Sequence, residues 1–211
     1  MMNSTINSNE IGTQGGASLP KFSEFPCGCK NRAGEDVMAK TPCGTMSLVD
    51  AYNYITGKQA MHATQELRRI KEHKEAQLYK LRNFRIATFA GVFSKRSANA
   101  LATPSGYMVI DIDGLKTKAQ VDDVRYICIS DPRLRPLLVF TSPSGYGVKA
   151  VIDIDTTRSL SFRDYFRWVA MYMQFEYGID VDRSGSDICR ACYLPHDPEC
   201  WMRENEIPLA R

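Results

Sequence analysis

The sharpest chemical feature of the chain is a pair of aspartates in Ile110-Asp111-Ile112-Asp113-Gly114. Side chains two apart on a strand point to one face, so Asp111 and Asp113 can converge on one cation at a strand end. Two carboxylates completed by water and phosphate oxygens suit Mg²⁺ or Mn²⁺, which are hard, octahedral and oxygen-seeking. A bare D-x-D also occurs as a surface pair flanking a helix start. The apolar residues Tyr107 to Ile110 that feed this pair bring the two readings level.

A second constellation is Thr141-Ser142-Pro143-Ser144-Gly145-Tyr146-Gly147-Val148-Lys149. Backbone N–H groups around Gly145 and Gly147 can form an anion nest, to which Ser142, Ser144 and the Lys149 ammonium add donors. The spacing is not that of a Walker loop, and a strand rather than a helix follows. Taken alone, a hairpin using Pro and Gly for its turn is the better reading. The third constellation is Gly178-Ile179-Asp180-Val181-Asp182, with Asp187, Arg190 and Asp197 beyond it. Asp180 and Asp182 form another same-face pair that could complete a metal site, and Arg190 could hold a phosphate. The plainer alternative is a charged, solvated strand edge.

Other chemistries are poorly supported. Cys189, Cys192, His196 and Cys200 suggest zinc, but their gaps do not match the usual knuckle, and Cys27, Cys29 and Cys43 are unevenly spaced. None of His62, His73 and His196 has an evident Ser or Cys partner, and no nucleophile elbow is present.

These residues need elements to hold them. Residues 1–45 read as a flexible or irregular leader, polar to about residue 20 and interrupted by Pro26 and Pro42 beyond it; residues 46–211 read as one domain. Ser47 is predicted to cap a helix to about Ile55, and a second helix runs from about Gln59 to Leu81 on Leu67, Ile70, Leu78 and Leu81. Strands are predicted at 85–89, 107–112, 137–140 and 147–154, the last two pairing. Helices are predicted at 117–129 and 161–177, the latter carrying Phe162, Phe166, Val169 and Met173 at helical spacing. Short extended pieces follow at 179–181 and 188–194. Several strands are joined too tightly for parallel crossovers, which predicts an α+β fold with a mixed or antiparallel sheet flanked by helices.

Composition sets the bounds. The chain has 211 residues, 44% hydrophobic and 24% charged, which excludes wholesale disorder and collagen-like repeats. No apolar run approaches the roughly 20 residues of a membrane span and no secretory stretch opens the chain, so a cytoplasmic protein with reduced thiols and no membrane partner is expected. The net charge of +3 is unevenly spread: Lys58 to Arg96 holds ten Lys/Arg against three Asp/Glu. Arg68, Arg69, Lys71, Lys95 and Arg96 are therefore candidates to track a nucleic-acid backbone, with a solvated helix face as the equal alternative.

Taken in order, D-I-D-G, T-S-P-S-G-Y-G-V-K and Y-G-I-D-V-D with a downstream R-A-C-Y-L-P-H-D-P resemble the catalytic core of the archaeo-eukaryotic primase (primase-polymerase) superfamily. The likeness is to its virulence-protein-E-like N-terminal domain branch from bacterial mobile elements, and it runs from about Met46 to Pro198. It implies an RRM-like sheet with a further α/β unit around a cleft, and metal-dependent nucleotidyl transfer in replication of a mobile element. It implies nucleoside triphosphates and a single-stranded or primed DNA template as partners, with a helicase encoded separately. Asp111 and Asp113 match the first motif. Ser142, Ser144 and Lys149 lie over the second, with Lys149 where many members carry histidine; a lysine can pair with a triphosphate, so binding survives this departure more easily than catalysis. The third motif's carboxylate falls on Asp180 or Asp182, with Asp180 preferred because it ends the G-I-D pattern.

Two rivals stand beside this reading. A catalytically inactive nucleotide- or nucleic-acid-binding module would share the motifs. A haloacid-dehalogenase-like phosphatase would share D-I-D-G, but needs Thr or Ser where Leu115 stands and a longer chain behind it.

Overall fold

The computed structural model describes residues 19–155 and 160–204. Among these residues the architecture is mixed α+β, built from antiparallel sheets and five α-helices. In chain order the elements are β1 (Phe22–Phe25), β2 (Cys29–Lys30), β3 (Asp36–Val37), β4 (Gly44–Met46), α1 (Leu48–Thr56), α2 (Met61–Leu67), α3 (His73–Asn83), β5 (Ile86–Thr88), β6 (Gly91–Phe93), β7 (Leu101–Pro104), β8 (Tyr107–Ile112), α4 (Lys118–Ser130), β9 (Pro136–Thr141), β10 (Val148–Asp153), α5 (Phe162–Tyr177), β11 (Cys192–Tyr193) and β12 (Trp201–Met202). One four-stranded sheet has the order β11-β5-β1-β4 and the other β12-β9-β10-β8; β2 with β3 and β6 with β7 form small hairpins.

The second sheet carries the site. Strand β10 runs antiparallel between β8 and β9, so β8, α4 and β9 form a split β-α-β unit. Alternation then divides its side chains. Met108, Ile110 and Ile112 of β8 face α4 and α5, where they pack with Val121, Val124, Phe166, Val169 and Met173. Tyr107 and Val109 face the other way, into a core shared with Phe22, Ala87 and Phe89 of the first sheet's side and with Leu48, Ala51 and Ile55 of α1. By the same alternation Asp111 and Lys149 belong to this second face, toward the other sheet.

Local signals explain the elements. Ser47 and Asp50 form a reciprocal capping box at the start of α1. Ser161 caps α5, and Gly178 ends it in the left-handed conformation at φ 65°. Thr117 caps α4.

Three expectations are corrected. Residues 22–46 are not irregular: they supply four strands, and β1 lies inside the first sheet with Phe22 and Phe25 fully buried. The single helix expected over Gln59–Leu81 is two, because the chain turns after Leu67 and Glu72 starts α3 by accepting from the backbone N–H groups of Lys74 and Glu75. Helix α3 has no fully buried residue: Leu78 is exposed, and Leu81 is half-buried against Gly28. Finally, residues 179–182 form no strand, and of the 188–194 stretch only Cys192–Tyr193 pairs. The first 18 residues of the expected leader lie outside the described residues.

Candidate functional site

Asp111 is the fifth residue of β8 and Asp113 follows the strand end, where Gly114 turns the chain at φ 78°. The third carboxylate brought to them is Asp182, not Asp180. Asp182 donates its backbone N–H to the Asp111 carbonyl at 2.8 Å and caps a 3-10 turn over Arg183–Ser186. Asp111, Asp113 and Asp182 each offer an oxygen within 4.8 Å of the others. Asp180 is exposed on the other side of the buried Val181. Without a strand at 179–182, the two-residue alternation that would have put Asp180 and Asp182 on one face does not operate.

Lys149 stands opposite Asp111 in the β8–β10 ladder, and its ammonium pairs with Asp111 Oδ2. Its side chain is only 8% exposed. Desolvation works against its charge, but the ion pair with Asp111 outweighs that and holds the amine above the ordinary lysine range. The other oxygen, Asp111 Oδ1, is buried and has no hydrogen-bond partner among the described residues. A buried carboxylate oxygen left unpaired is costly, and in an array of three carboxylates a hard divalent cation satisfies it. The residues present therefore fit Mg²⁺ or Mn²⁺.

The electrostatics around the triad are uneven. Desolvation raises the pKa of Asp113, and the neighbouring Asp111 charge adds to it, against the opposing pull of Lys149 and Lys80. Asp182 goes the other way: its own desolvation is overcome by hydrogen bonds from the Ser184 hydroxyl and N–H and by Arg190. Arg190 reaches Asp182 Oδ2 at 3.1 Å.

The loop from Ser142 to Gly147 forms the adjoining wall. Ser142 N–H donates to the Gly147 carbonyl at 2.8 Å, and the Ser142 and Ser144 hydroxyls lie 3.1 Å apart. A methyl group on Gly147 would sit 2.6 Å from Asp113 Oδ1 and 2.7 Å from the Ile112 carbonyl, so only glycine lets the loop lie against the carboxylate. The loop, Asp111 and Asp113 border a cavity of about 330 Å³, within the roughly 300–1,000 Å³ usual for small-molecule sites. Asp111, Asp113, Ser142, Ser144, Lys149 and Arg190 all line it, together with Arg96, which had been grouped with the nucleic-acid residues.

The remaining basic candidates do not form one stripe. Arg68 donates from Nε to the Pro143 carbonyl at 3.3 Å and lies over Gly145. Arg69 pairs with Glu66 on its own helix end, while Lys71 and Lys95 are exposed. Sequence reasoning missed Lys80, Met38 and Tyr193, which complete the cavity from the opposite wall. Lys80 lay inside the basic segment, which was the only signal for it; Tyr193 lay in the R-A-C-Y-L-P-H-D-P run without a role of its own, and Met38 carried no signal. It also missed Arg125, which joins Asp197 at 2.9 Å in a buried pair; Asp197 in turn accepts from the Thr141 N–H at 2.7 Å, just before the loop. His196, part of the suggestive Cys/His spacing, instead meets the Gly57 carbonyl through Nδ1 at 2.7 Å.

Among known families, the BT4734-like N-terminal domain matches residues 81–201, more than half of the chain and all of the triad and loop. No curated protein and no solved structure matches the chain.

Proposed function

The chain belongs to the BT4734-like N-terminal domain family, and we propose that it is a metal-dependent nucleotidyltransferase of the primase-polymerase type. The split β-α-β sheet flanked by α4 and α5 supports the RRM-like element of that reading, with Tyr193 of the first sheet joining Met38, Lys80 and Arg96 around the cleft. The observation that carries the proposal is the unpartnered, buried Asp111 Oδ1 beside two further carboxylates at a cavity lined by cations.

Asp111, Asp113 and Asp182 would hold Mg²⁺ or Mn²⁺, which when bound lowers the pKa of an attacking 3′-hydroxyl and neutralises a pyrophosphate leaving group. The chain's own residues do the rest. Lys149, Lys80, Arg96 and Arg190 would balance the charge of a nucleoside triphosphate, and the Ser142 and Ser144 hydroxyls would donate to its oxygens. A single-stranded or primed DNA template is the second substrate, in replication of a mobile element beside a separately encoded helicase. A cytoplasmic location accords with the described residues, in which no helix is long and apolar enough to cross a membrane.

One observation favours a second reading. The Lys149 ammonium already occupies Asp111 Oδ2, which leaves that carboxylate one oxygen for a cation and suits a nucleotide-binding module without turnover. Extension of a primed template with Mn²⁺ and deoxynucleotides separates the two. The enzymatic reading expects extension that Asp111→Ala and Asp113→Ala abolish. Extension surviving both substitutions overturns the metal assignment, and nucleotide binding without extension favours the module.

A further inference from the structure

The Ser142–Gly147 loop has a second side. There it borders another cavity, about 400 Å³, lined by Arg68, Lys118, Tyr146 and Glu199 among others, and Ser144 lines both cavities. We propose that this outer groove takes a single strand of nucleic acid, one base lying on the Tyr146 ring and an adjacent phosphate between Arg68 and Lys118. This rests on the polymerase-type reading of the inner cleft, since it places the strand one loop away from the carboxylates.

Tyr146 is built as a platform. The residue is 56% exposed, yet its backbone is fixed: its carbonyl accepts from Leu115 N–H at 3.0 Å, tying it to the turn that carries Asp113. An exposed ring on a pinned backbone stacks on a base with little ordering cost, and such stacking tolerates any base. Arg68 is held similarly. Its Nε is used by Pro143, and its guanidinium passes over Gly145, where a Cβ would lie 3.2 Å from Nε. The terminal guanidinium nitrogens have no partner among the described residues and are available to a phosphate. Among the described residues Lys118 forms only exposed pairs, with Asp122 at 3.1 Å and Glu199 at 3.6 Å. Pairs of that kind are weak and exchange readily for a phosphate.

The test is fluorescence anisotropy of a labelled oligothymidylate with the full chain in EDTA, so that strand binding is read without metal or turnover. Tyr146→Ala should weaken binding about tenfold, and Tyr146→Phe should keep wild-type affinity. Lys118→Gln should lower the slope of log affinity against log salt by about 0.7, the share of one single-strand phosphate. The thermal midpoint of Tyr146→Ala in EDTA should equal that of wild type, showing an intact fold. Wild-type affinity in Tyr146→Ala, an equal loss in Tyr146→Phe, or no binding by the wild-type chain overturns the proposal. Because this readout needs neither carboxylates nor metal, it stands or falls separately from the extension assay.

Discussion

Lys149 and Asp111 face each other across the β8–β10 ladder as a charged pair on a sheet face otherwise given to Tyr107, Val109 and Val151. Removing one member of such a pair strands the other in a poorly solvated place, which typically costs about 3–5 kcal/mol. Lys149→Met should therefore lower urea-unfolding stability by that order. The double substitution Lys149→Met with Asp111→Asn should recover most of the loss. Strictly additive effects would show that the pair is not coupled.

Cation binding should distinguish Asp182 from Asp180. A ligand that binds only the folded chain stabilises it by about 2.7 kcal/mol at a hundredfold excess over Kd, so Mn²⁺ should raise the thermal midpoint of the wild-type chain. The shift should vanish in Asp113→Asn and Asp182→Asn and persist in Asp180→Asn. Asparagine still caps the turn that Asp182 starts, so loss of the shift reports the carboxylate rather than the turn. A shift lost in Asp180→Asn instead would reverse the assignment.

Asp113 gives the site a pH signature in the absence of metal. Its folded pKa is raised, first by desolvation and then by Asp111. Between the ordinary carboxylate value and that raised value the folded chain binds more protons than the unfolded chain, so stability falls as pH rises through the window. The penalty is fully present above it. Asp113→Asn should therefore be more stable than wild type in urea at neutral pH with EDTA, and the gain should disappear as pH falls below about 4. A gain that grows toward acid would mean the sign is wrong.

Arg125 should behave as a structural anchor of the loop. Its guanidinium serves Asp197, the Thr141 hydroxyl at 3.1 Å and the Glu199 carbonyl, with a side chain 10% exposed. Arg125→Ala should cost about 3–5 kcal/mol in denaturant unfolding. Arg125→Lys should recover little, because an ammonium cannot reproduce a fork aimed at three acceptors. Full recovery by lysine would reduce the contact to simple charge.

The legible parts of the chain were those where local chemistry and packing agree. Tyr107–Ile112 is an apolar run ending in a turn glycine, and it is β8 residue for residue. The stripe Phe166, Val169 and Met173 is the buried face of α5. The first sheet was harder to see: β1 is four residues whose Ser23 is buried and whose Glu24 pairs with Arg85, so no alternation marks it. In the site, Asp111, Asp113 and the Ser142–Lys149 loop were readable because they flank paired strands. The choice of Asp182 was not, since it depends on one backbone hydrogen bond to the Asp111 carbonyl. Lys80 and Met38 join the cleft only through long-range packing, which no local pattern encodes.

The backbone bond from Asp182 to Asp111 has one more effect. Strand β8 ends its sheet, and the end strand of a sheet offers a row of open donors and acceptors to any other extended chain. The Asp182–Gly185 segment runs along that side, with Gly185 lying against the Val109 carbonyl and the Phe166 ring. The strap that delivers the third carboxylate thus also shields the strand from intermolecular pairing. Loosening it by Gly185→Ala, whose methyl would meet Phe166 at 2.5 Å, would expose an aggregation-prone edge at the same time as it dismantled the triad.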